Sequence, residues 1–371
     1  MVNSWLILFR RVDWYLFGAL FALISIGLLM IYGIGTSYEI TSLAQFRKQI
    51  IALLIGCVLM LIFIFWDYRQ LRSYGLVVFF LGFLLLLAVL IVGEEVRGTR
   101  GWFRMGAISI QPVELAKVFF AVFLASYFYK QVHRRLDWIT FFGSFTAMSL
   151  YAGLVMLQPD FGSAMVIVGM WFVGIAFAGL RRRTWLLLIV SVFASIYLAW
   201  TFFLVPYQQE RIISFLNPEA DPLGAGYNVI QAETAIGSGG WFGKGIGEGS
   251  QSRLRFLPEA STDFMFAVMG EELGFVGLAL ILGLFTLLLV RILYIGYLSK
   301  DVFVQIYTVM ISGMFGMHIL VNAGMNMGIM PVTGIPLPFA SAAATSLVAG
   351  CLAIGIAMGM KVQNNSFESG F

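Results

Sequence analysis

Asp263 is the residue in this sequence whose type and position best suit chemistry. It stands where a polar, Gly-rich run ends and a long apolar segment begins, directly before Phe264. A carboxylate at the mouth of a hydrophobic helix is costly unless it faces protein, water or a ligand, so a functional role is the default interpretation. The alternative is a helix N-cap, because Ser261, Thr262 and Asp263 can each accept hydrogen bonds from first-turn amides. Residue type and position leave both interpretations open.

Two further carboxylates, Glu114 and Asp160, each follow a Gln-Pro pair at a predicted helix start. Pro112 suits the first position of a helix, and Glu114 in the first turn complements the helix dipole. Lys117 lies three residues after Glu114, so the two side chains share a face and can neutralise each other in a dry setting. A structural ion pair explains these two residues as well as a binding site does.

Lys244 lies in the Gly-rich run 237–249. A Walker-type phosphate loop would need glycine at position 238 and serine or threonine at position 245. Ser238 and Gly245 stand there, so that motif is absent. Glycine-rich backbone beside a lysine can still cradle an anion through its amides. A flexible hinge also explains the run and is the interpretation that the sequence favours.

The residue types that often bind metals form no recognisable site. Cys57 and Cys351 both lie in apolar runs and are interpreted as small buried residues. His133 lies in a basic loop, far in sequence from His318, and neither has the neighbours of a zinc site. His318 and Asn322 are four residues apart in a predicted span, which favours hydrogen bonds between helices over catalysis.

The elements that must position these residues are membrane helices. Hydrophobic residues make up 60% of the 371-residue chain and charged residues only 11%, which is more apolar surface than a soluble domain can bury. The sequence therefore predicts an all-α, polytopic integral membrane protein with a single domain over residues 1–371. The ten predicted transmembrane helices are 14–33, 49–66, 74–93, 114–130, 138–158, 163–180, 184–206, 264–295, 302–328 and 339–360.

Basic residues in the short loops favour the side of the two termini, so both termini are predicted to be cytoplasmic. Residues 3–14 are predicted to lie on that face as an interfacial segment. The large loop 207–262, between the seventh and eighth helices, is then extracytoplasmic, and its first part, 207–218, is predicted to be a short amphipathic helix. The last external loop, 330–339, contains three prolines that stiffen it, with Pro338 placed to open the final span.

Taken together, these motifs resemble the signature of the SEDS family of cell-wall polymerases, which includes RodA, FtsW and SpoVE. The likeness covers residues from about 97 to 345 and follows the family's order. The matching stretches are Gln111–Glu114 with Lys117, Gln158–Gly162, Phe256–Glu259, Thr262–Phe264, Gly270–Gly274 and Pro331–Pro338.

The resemblance implies a peptidoglycan glycosyltransferase of the bacterial cytoplasmic membrane. Such enzymes polymerise lipid II, a disaccharide-pentapeptide on undecaprenyl pyrophosphate, and bind no nucleic acid. The short termini and Gln251–Leu254 look most like RodA, which implies cell-wall elongation and rod-shape maintenance; a division-specific FtsW-type polymerase is the alternative. The implied partner is a class B penicillin-binding protein, expected on the lipid-facing side of the eighth and ninth spans, where Ser312, Gly316 and Ala323 share a face.

Two positions depart from the family pattern. Ser261 stands where histidine is common, which removes a cationic partner for Asp263. Ser341–Thr345 replaces the usual Ser-Tyr-Gly-Gly-Ser after the last proline loop. The aromatic and glycine contacts at the head of the last span are therefore in doubt, although small residues there still permit close helix packing.

Joining two sugars with a diphosphate leaving group requires a base for the acceptor hydroxyl and positive charge near the departing phosphates. The resemblance implies an α-linked donor and a β-linked polymer, hence inversion by a single displacement. Asp263 is the predicted base, or else the ligand of a divalent cation, Mg²⁺ or Mn²⁺, that activates the hydroxyl. The predicted substrate-binding residues are the cations Arg100, Lys117, Arg211 and Lys244, the orienting carboxylates Glu114 and Asp160, and Glu259 and Thr262 of the signature.

A lipid II flippase or another transporter is the strongest alternative. Intramembrane Glu114, Lys117 and Glu271 would then mark a path across the bilayer. Two observations weigh against it: the polar motifs concentrate on one side, and no pair of broken helices in inverted repeats is evident. A third alternative is a scaffold that only holds the penicillin-binding protein. Polymer formation from labelled lipid II separates the three.

Overall fold

The computed structural model describes residues 11–37, 41–96, 98–106, 108–130, 138–179, 226–254 and 256–368, with scattered residues between 190 and 215. A π-helical turn spans Ala199–Phe203. The α-helices are α1 (Trp14–Ser37), α2 (Thr41–Phe65), α3 (Tyr68–Ser73), α4 (Gly75–Val92), α5 (Pro112–Tyr129), α6 (Trp138–Leu157), α7 (Phe161–Phe177), α8 (Tyr227–Ser238), α9 (Ser250–Arg253), α10 (Met265–Leu298), α11 (Val302–Asn326) and α12 (Ala344–Glu368).

Eight of the described helices are long and apolar enough to cross a membrane: α1, α2, α4, α5, α6, α10, α11 and α12. The shorter apolar helix α7 accompanies them. Exposed apolar side chains such as Leu54, Leu76 and Ile91 give these helices surfaces that suit lipid. The prediction of a helical, multi-pass membrane protein is confirmed. The count of ten stays a prediction, because 184–206 lies mostly outside the described residues, as do 3–14 and 207–218.

A small antiparallel sheet joins α4 to α5, where the sequence alone indicates only a loop. Its strands β1 (Glu94–Val96), β2 (Thr99–Met105) and β3 (Ile108–Ile110) lie in that order. Glu94 lies opposite Trp102, and Arg104 lies opposite Ser109. Strand β2 also contacts α5, so the sheet fixes Trp102 and Arg104 beside the start of that helix.

The last helix begins at Ala344, so the prediction that Pro338 opens it is wrong. Phe339 has a φ of 63°, which a right-handed helix cannot contain. Leu337 to Ser341 instead form a turn, in which the Leu337 amide donates to Ser341 Oγ at 2.9 Å. The last helix therefore begins five residues later than the predicted span, which starts at residue 339.

Helices α5, α11 and α12 form the centre of the molecule, and most of their side chains are buried. Helix α12 lies close against α2, since a Cβ on Gly355 would be only 2.7 Å from the Met60 Cα atom. Helix α11 is held to α12 by the Tyr307 hydroxyl, which donates to the Ala353 carbonyl at 3.0 Å. This centre supports the loops described below.

Ser312 and Ala323 of α11 are buried inside the chain, so the prediction that they belong to a lipid-facing surface is wrong. The Ser312 hydroxyl donates to the Leu289 carbonyl of α10 at 3.4 Å. Small side chains permit close approach on this side of α11, as predicted, but the helix that approaches at Ser312 is α10 of the same chain.

Asp13, directly before α1, ties three helices together. Its buried carboxylate accepts from Arg291 of α10, at 2.6 Å from Nη2, and from Lys361 of α12, at 2.8 Å. It also accepts from the Leu16 amide of α1 at 3.1 Å. Burial raises the pKa of Asp13, but the bonds from Arg291, Lys361 and Leu16 outweigh it, so the pKa lies below its usual value.

Helix α10 is broken at Gly274, whose φ of 67° and ψ of −167° belong to a region open essentially to glycine alone. The backbone groups that the break frees pair with the Gly-rich run 237–249. The run is therefore a fixed part of the fold, and its interpretation as a flexible hinge is wrong. The four bonds, of 2.9 to 3.1 Å, join Lys244 N to Glu271 O, Gly245 N to Glu272 O, Phe275 N to Gly240 O and Val276 N to Trp241 O.

Candidate active site

A polar cavity of about 400 Å³ lies where the N-terminal ends of α5, α7, α10 and α12 converge. Helix N-termini carry partial positive charge and unsatisfied amides, so a convergence of this kind favours an anionic ligand. The polar side chains of the cavity wall that could bind or react with a ligand include Lys48, Arg104, Gln111, Asp160, Thr262 and Asp263.

Asp263 lies in the turn just before α10, at the cavity wall. The helix begins at Met265 and its N-cap residue is Phe264, with no capping bond from a side chain. The structure therefore places Asp263 one residue before the N-cap position predicted for it. Gly334 of the proline loop has a φ of 73°, and a Cβ there would lie 3.5 Å from Asp263 Oδ2. The loop backbone thus passes beside the carboxylate, and the positive φ is what favours glycine at this position.

Asp160 caps α7 and faces the same cavity. Its Oδ1 accepts from the Ser163 amide at 2.9 Å, and its Oδ2 accepts from Gln111 Nε2 at 3.4 Å. Burial raises the pKa of Asp160, and the bond from Ser163 offsets this only in part. The main-chain amide of Gln111 in turn donates to Thr345 Oγ1 at 3.2 Å. The predicted helix start at Asp160 is confirmed. The hydrogen bonds among Gln111, Asp160 and Thr345 join the N-terminal ends of α5, α7 and α12.

Glu114 and Lys117 form the predicted ion pair, buried, with 2.8 Å between Nζ and Oε1. His318 of α11 is the third member, since its Nε2 lies 2.8 Å from Lys117 Nζ. An ammonium group only donates, so Nε2 accepts and the imidazole proton resides on Nδ1, 3.4 Å from the Pro336 carbonyl. His318 bonds between helices as predicted, and the triad lies behind the cavity wall, of which Pro336 is part.

Lys244 is bound by Glu271, with 2.9 Å between Nζ and Oε1, and it is not part of the cavity wall. The Gln251 amide donates to the same carboxylate at 2.9 Å, and the Gly247 amide donates to Glu272 Oε2 at 3.0 Å. The Gly-rich run therefore binds one anion through the Gly247 amide and a second through the Lys244 side chain, with the Gln251 amide just after the run assisting. These anions are two buried glutamates of the chain itself.

The remaining predicted residues take up different positions. Thr262 lines the cavity beside Asp263. Glu259 accepts from the Thr262 hydroxyl at 3.1 Å and lies just off the wall. Arg100 is exposed on β2, also off the wall. Arg211 lies outside the described residues.

Lys48 and Arg104 are the two Lys or Arg residues at the cavity wall within the described part of the chain. The sequence interpretation does not single them out as ligands. One signal was available, because basic residues in external loops run against the usual charge bias and need a reason. Arg104 Nη1 lies 3.8 Å from Glu94 Oε2 and both side chains are about half exposed, so the guanidinium keeps donors for a ligand.

Ser261, the first departure from the family pattern, and Ser341 form hydrogen bonds around the turn that carries Asp263, and neither lines the cavity. The Ser261 hydroxyl donates to Gln45 Oε1 at 2.9 Å, and the Ser341 hydroxyl donates to the Thr262 carbonyl at 2.6 Å. The Ala342 amide donates to the Ser261 carbonyl at 2.7 Å. The small residues therefore bring the chain before α12 directly against the turn that carries Asp263, and the expectation of close packing there is confirmed.

No group of three His, Cys, Asp or Glu side chains that could hold a metal ion occurs among the described residues. A divalent cation at Asp263 would thus take most of its ligands from substrate phosphate oxygens and water, which is how Mg²⁺ is usually bound beside phosphates. The base and cation-ligand interpretations of Asp263 both stay open.

The fold and the site define a multi-pass membrane protein with a polar, cation-lined cavity at the heads of its central helices. A family model described as "Cell cycle protein", for FtsW, RodA and SpoVE, matches residues 13–366. The chain belongs to this family, which is the SEDS family inferred from its motifs.

The relatives of this chain include proteins named FtsW and proteins named RodA. The chain is 43% identical over 270 residues to the probable peptidoglycan glycosyltransferase FtsW of Acinetobacter baylyi, covering 71% of this chain and 67% of that protein. It is 32% identical to the peptidoglycan glycosyltransferase RodA of Treponema pallidum, covering 95% and 98%. A solved structure described as "Structural coordination of polymerization and crosslinking by a peptidoglycan synthase complex" matches with a TM-score of 0.81 and 29% identity, covering 95% and 98%.

Proposed function

We propose that this chain polymerises lipid II into glycan strands at the outer face of the membrane, during cell-wall elongation. In coarser terms, the chain is a peptidoglycan glycosyltransferase and a multi-pass protein of the bacterial cytoplasmic membrane. The observation that carries the proposal is the cavity at four helix N-termini, which presents the Asp263 carboxylate together with the cations Lys48 and Arg104.

The proposed step is a single displacement. The acceptor hydroxyl oxygen bonds to the anomeric carbon of the donor, and the bond from that carbon to the diphosphate oxygen breaks. The diphosphate leaves with the electron pair, and the hydroxyl proton passes to the Asp263 carboxylate or is lost with the help of a cation that Asp263 binds. Lys48, Arg104 and the helix N-termini stabilise the negative charge that develops on the diphosphate.

The predicted ligands differ in their place relative to the cavity. Asp160 and Thr262 line the cavity and keep their proposed substrate role. Glu114 and Lys117 support the wall from behind through His318. We assign Lys244 to the bond between the Gly-rich run and α10, because Glu271 and neighbouring hydroxyls take its donors. Arg100, Arg211 and Glu259 stay predictions.

We extend the proposal to a class B penicillin-binding protein as partner. The solved structure with a TM-score of 0.81 is that of a peptidoglycan synthase complex, in which polymerization and crosslinking are coordinated. Helix α10 presents exposed apolar residues, among them Phe275, Leu280 and Tyr297, on which a single membrane helix of a partner can pack. Crosslinks from the partner confined to α2 and α4 would contradict this placement.

Labelled lipid II separates polymerisation from transport. The purified chain is placed in liposomes with labelled lipid II in one leaflet, with and without the penicillin-binding protein. Glycan polymer supports the proposal. Transfer of label across the bilayer without polymer supports a flippase. If neither polymer nor transfer is observed although the partner is active, a scaffold is supported.

A division role is the second candidate, because the relative from Acinetobacter baylyi is named FtsW. Expression of the chain in rod-shaped bacteria depleted of either RodA or FtsW tests the assignment. Rescue of rod shape alone supports elongation, and rescue of septation alone supports division.

A further inference from the structure

Helix α11 turns one polar stripe toward the site. His318, Asn322 and Asn326 recur every four residues, so they share a helix face, and all three are buried. Asn322 Nδ2 donates to the Asp263 carbonyl at 2.9 Å and to the Ile335 carbonyl of the proline loop at 2.7 Å. The stripe therefore contacts the backbone on both sides of the cavity.

The Asn326 side chain replaces one backbone hydrogen bond at the start of α10. In a regular helix the Ala267 amide would donate to the carbonyl of Asp263, four residues earlier. Here Asn326 Oδ1 accepts from the Ala267 amide at 3.2 Å, and Asn326 Nδ2 donates to the Asp263 carbonyl at 3.1 Å. One side-chain amide thus satisfies both groups, and α10 begins only at Met265.

We propose that Asn326 is a positioning residue for Asp263, which it holds outside α10 so that the carboxylate faces the cavity. The inference rests on the proposed role of Asp263 in glycan polymerisation. Without the Asn326 amide, the Ala267 amide pairs with the Asp263 carbonyl in competition with Asn322 Nδ2, and the helix extends backward by one residue, to Phe264. Phe264, now at φ −101° and ψ 19°, then takes helical backbone angles, and this change moves the Asp263 carboxylate from its place on the cavity wall.

The first test is the Asn326→Ala variant of the full chain, assayed with its penicillin-binding partner. We expect kcat to fall roughly 10- to 100-fold, as misplaced catalytic groups cause, while KM for lipid II changes little. Ser312→Ala is the matched control, because it also removes a side-chain hydrogen bond of α11, one that goes to the Leu289 carbonyl of α10 and not to the turn that carries Asp263. Asn326→Ser, whose hydroxyl is too short to bridge both groups, serves as a second variant if the alanine variant does not fold.

The second test measures the position of residue 263 without enzyme activity. Asp263→Cys is introduced into a chain with Cys57→Ser and Cys351→Ala, and its reaction rate with a water-soluble thiol reagent is measured. Adding Asn326→Ala should slow the reaction several-fold, whereas adding Ser312→Ala should not.

The two readouts separate the inference from the proposed function. An unchanged labelling rate overturns the positioning role, and so does a kcat that falls equally in the Ser312→Ala control. If labelling slows as expected but Asp263→Asn polymerises normally, the positioning of residue 263 stands and the catalytic role of Asp263 is refuted.

Discussion

At the scale of single residues, the cavity wall combines a carboxylate that can take a proton with cations that can hold a diphosphate. Asp263 and Arg104 come from segments far apart in the chain, and they face one space of about 400 Å³. Lys244 and Glu271, by contrast, satisfy each other beneath the Gly-rich run. The proposed substrate binding and the anchoring of the Gly-rich run therefore use different charged residues.

Arg104 and Arg100 give a direct comparison, because both are exposed arginines of β2 but only Arg104 lies on the cavity wall. We expect Arg104→Ala to raise KM for lipid II on the order of tenfold, the loss of about 1.4 kcal/mol of charge-assisted binding. Arg100→Ala should change KM much less. Titration of polymerisation against lipid II measures both, and an equal effect of the two variants would argue against diphosphate binding at Arg104.

Local motifs identify part of the site. Asp263 and the Glu114–Lys117 pair are recognisable because a carboxylate at a helix mouth and an i, i+3 charge pair are visible in a few residues. Lys48 is not recognisable in this way, since its place on the wall depends on how α2 packs against distant loops. His318 needs the fold for the same reason, because its partner Lys117 is 201 residues away.

At the scale of secondary-structure elements, the break in α10 links the Gly-rich run to the helix that follows Asp263. Gly274→Ala should destabilise the protein by at least about 1–3 kcal/mol, because its backbone conformation excludes other residues and a Cβ would collide with the Gly243 amide. Gly283→Ala in the same helix is the control, since nothing lies within 4 Å of a Cβ there. Thermal unfolding in detergent compares them, and equal stabilities would contradict the described break.

The Asp13 cluster makes a prediction about pH. Asp13→Asn should lower stability at pH 7 by about 1.5–3 kcal/mol, because hydrogen bonds between charged groups are lost. The folded pKa of Asp13 is lowered from its ordinary value of 3.8, so its contribution is present above that value and is lost as pH falls through the folded pKa. Unfolding of wild type and variant is measured from pH 7 downward, and a difference that grows toward acid pH would contradict the assignment.

Element boundaries show where sequence reasoning ends. The long apolar runs predict the membrane helices well, because a membrane-spanning helix needs about 20 apolar residues in succession and few other structures contain such a run. The start of α12 could not be predicted, because Phe339 has a left-handed backbone conformation that prevents an earlier helix start and that no local sequence pattern indicates. The sheet at 94–110 escapes prediction for a similar reason, because its strands are only three to seven residues long.

At the scale of the whole molecule, function requires the cavity and the Gly-rich run to face outward. We expect Phe242→Cys, whose parent side chain is 82% exposed, to react with a membrane-impermeant thiol reagent added outside intact cells. Cys57 and Cys351 are replaced first, so that the new thiol alone reports. If the new thiol does not react in intact cells and is labelled only after the reagent is given access to the cytoplasm, the predicted orientation is wrong.

The central claim is that the Asp263 carboxylate takes part in glycan polymerisation, and the Asp263→Asn variant tests it most directly. Asparagine keeps the size of the side chain, and Asn322 and Asn326 hold the main-chain carbonyl of this residue, so the fold should persist. An amide neither takes the proton nor binds a cation strongly, and removal of a positioned base costs roughly 10²- to 10⁴-fold in rate. Purified Asp263→Asn protein with its penicillin-binding partner should therefore make little or no polymer from labelled lipid II. Near-normal polymer from a well-folded variant would contradict the account.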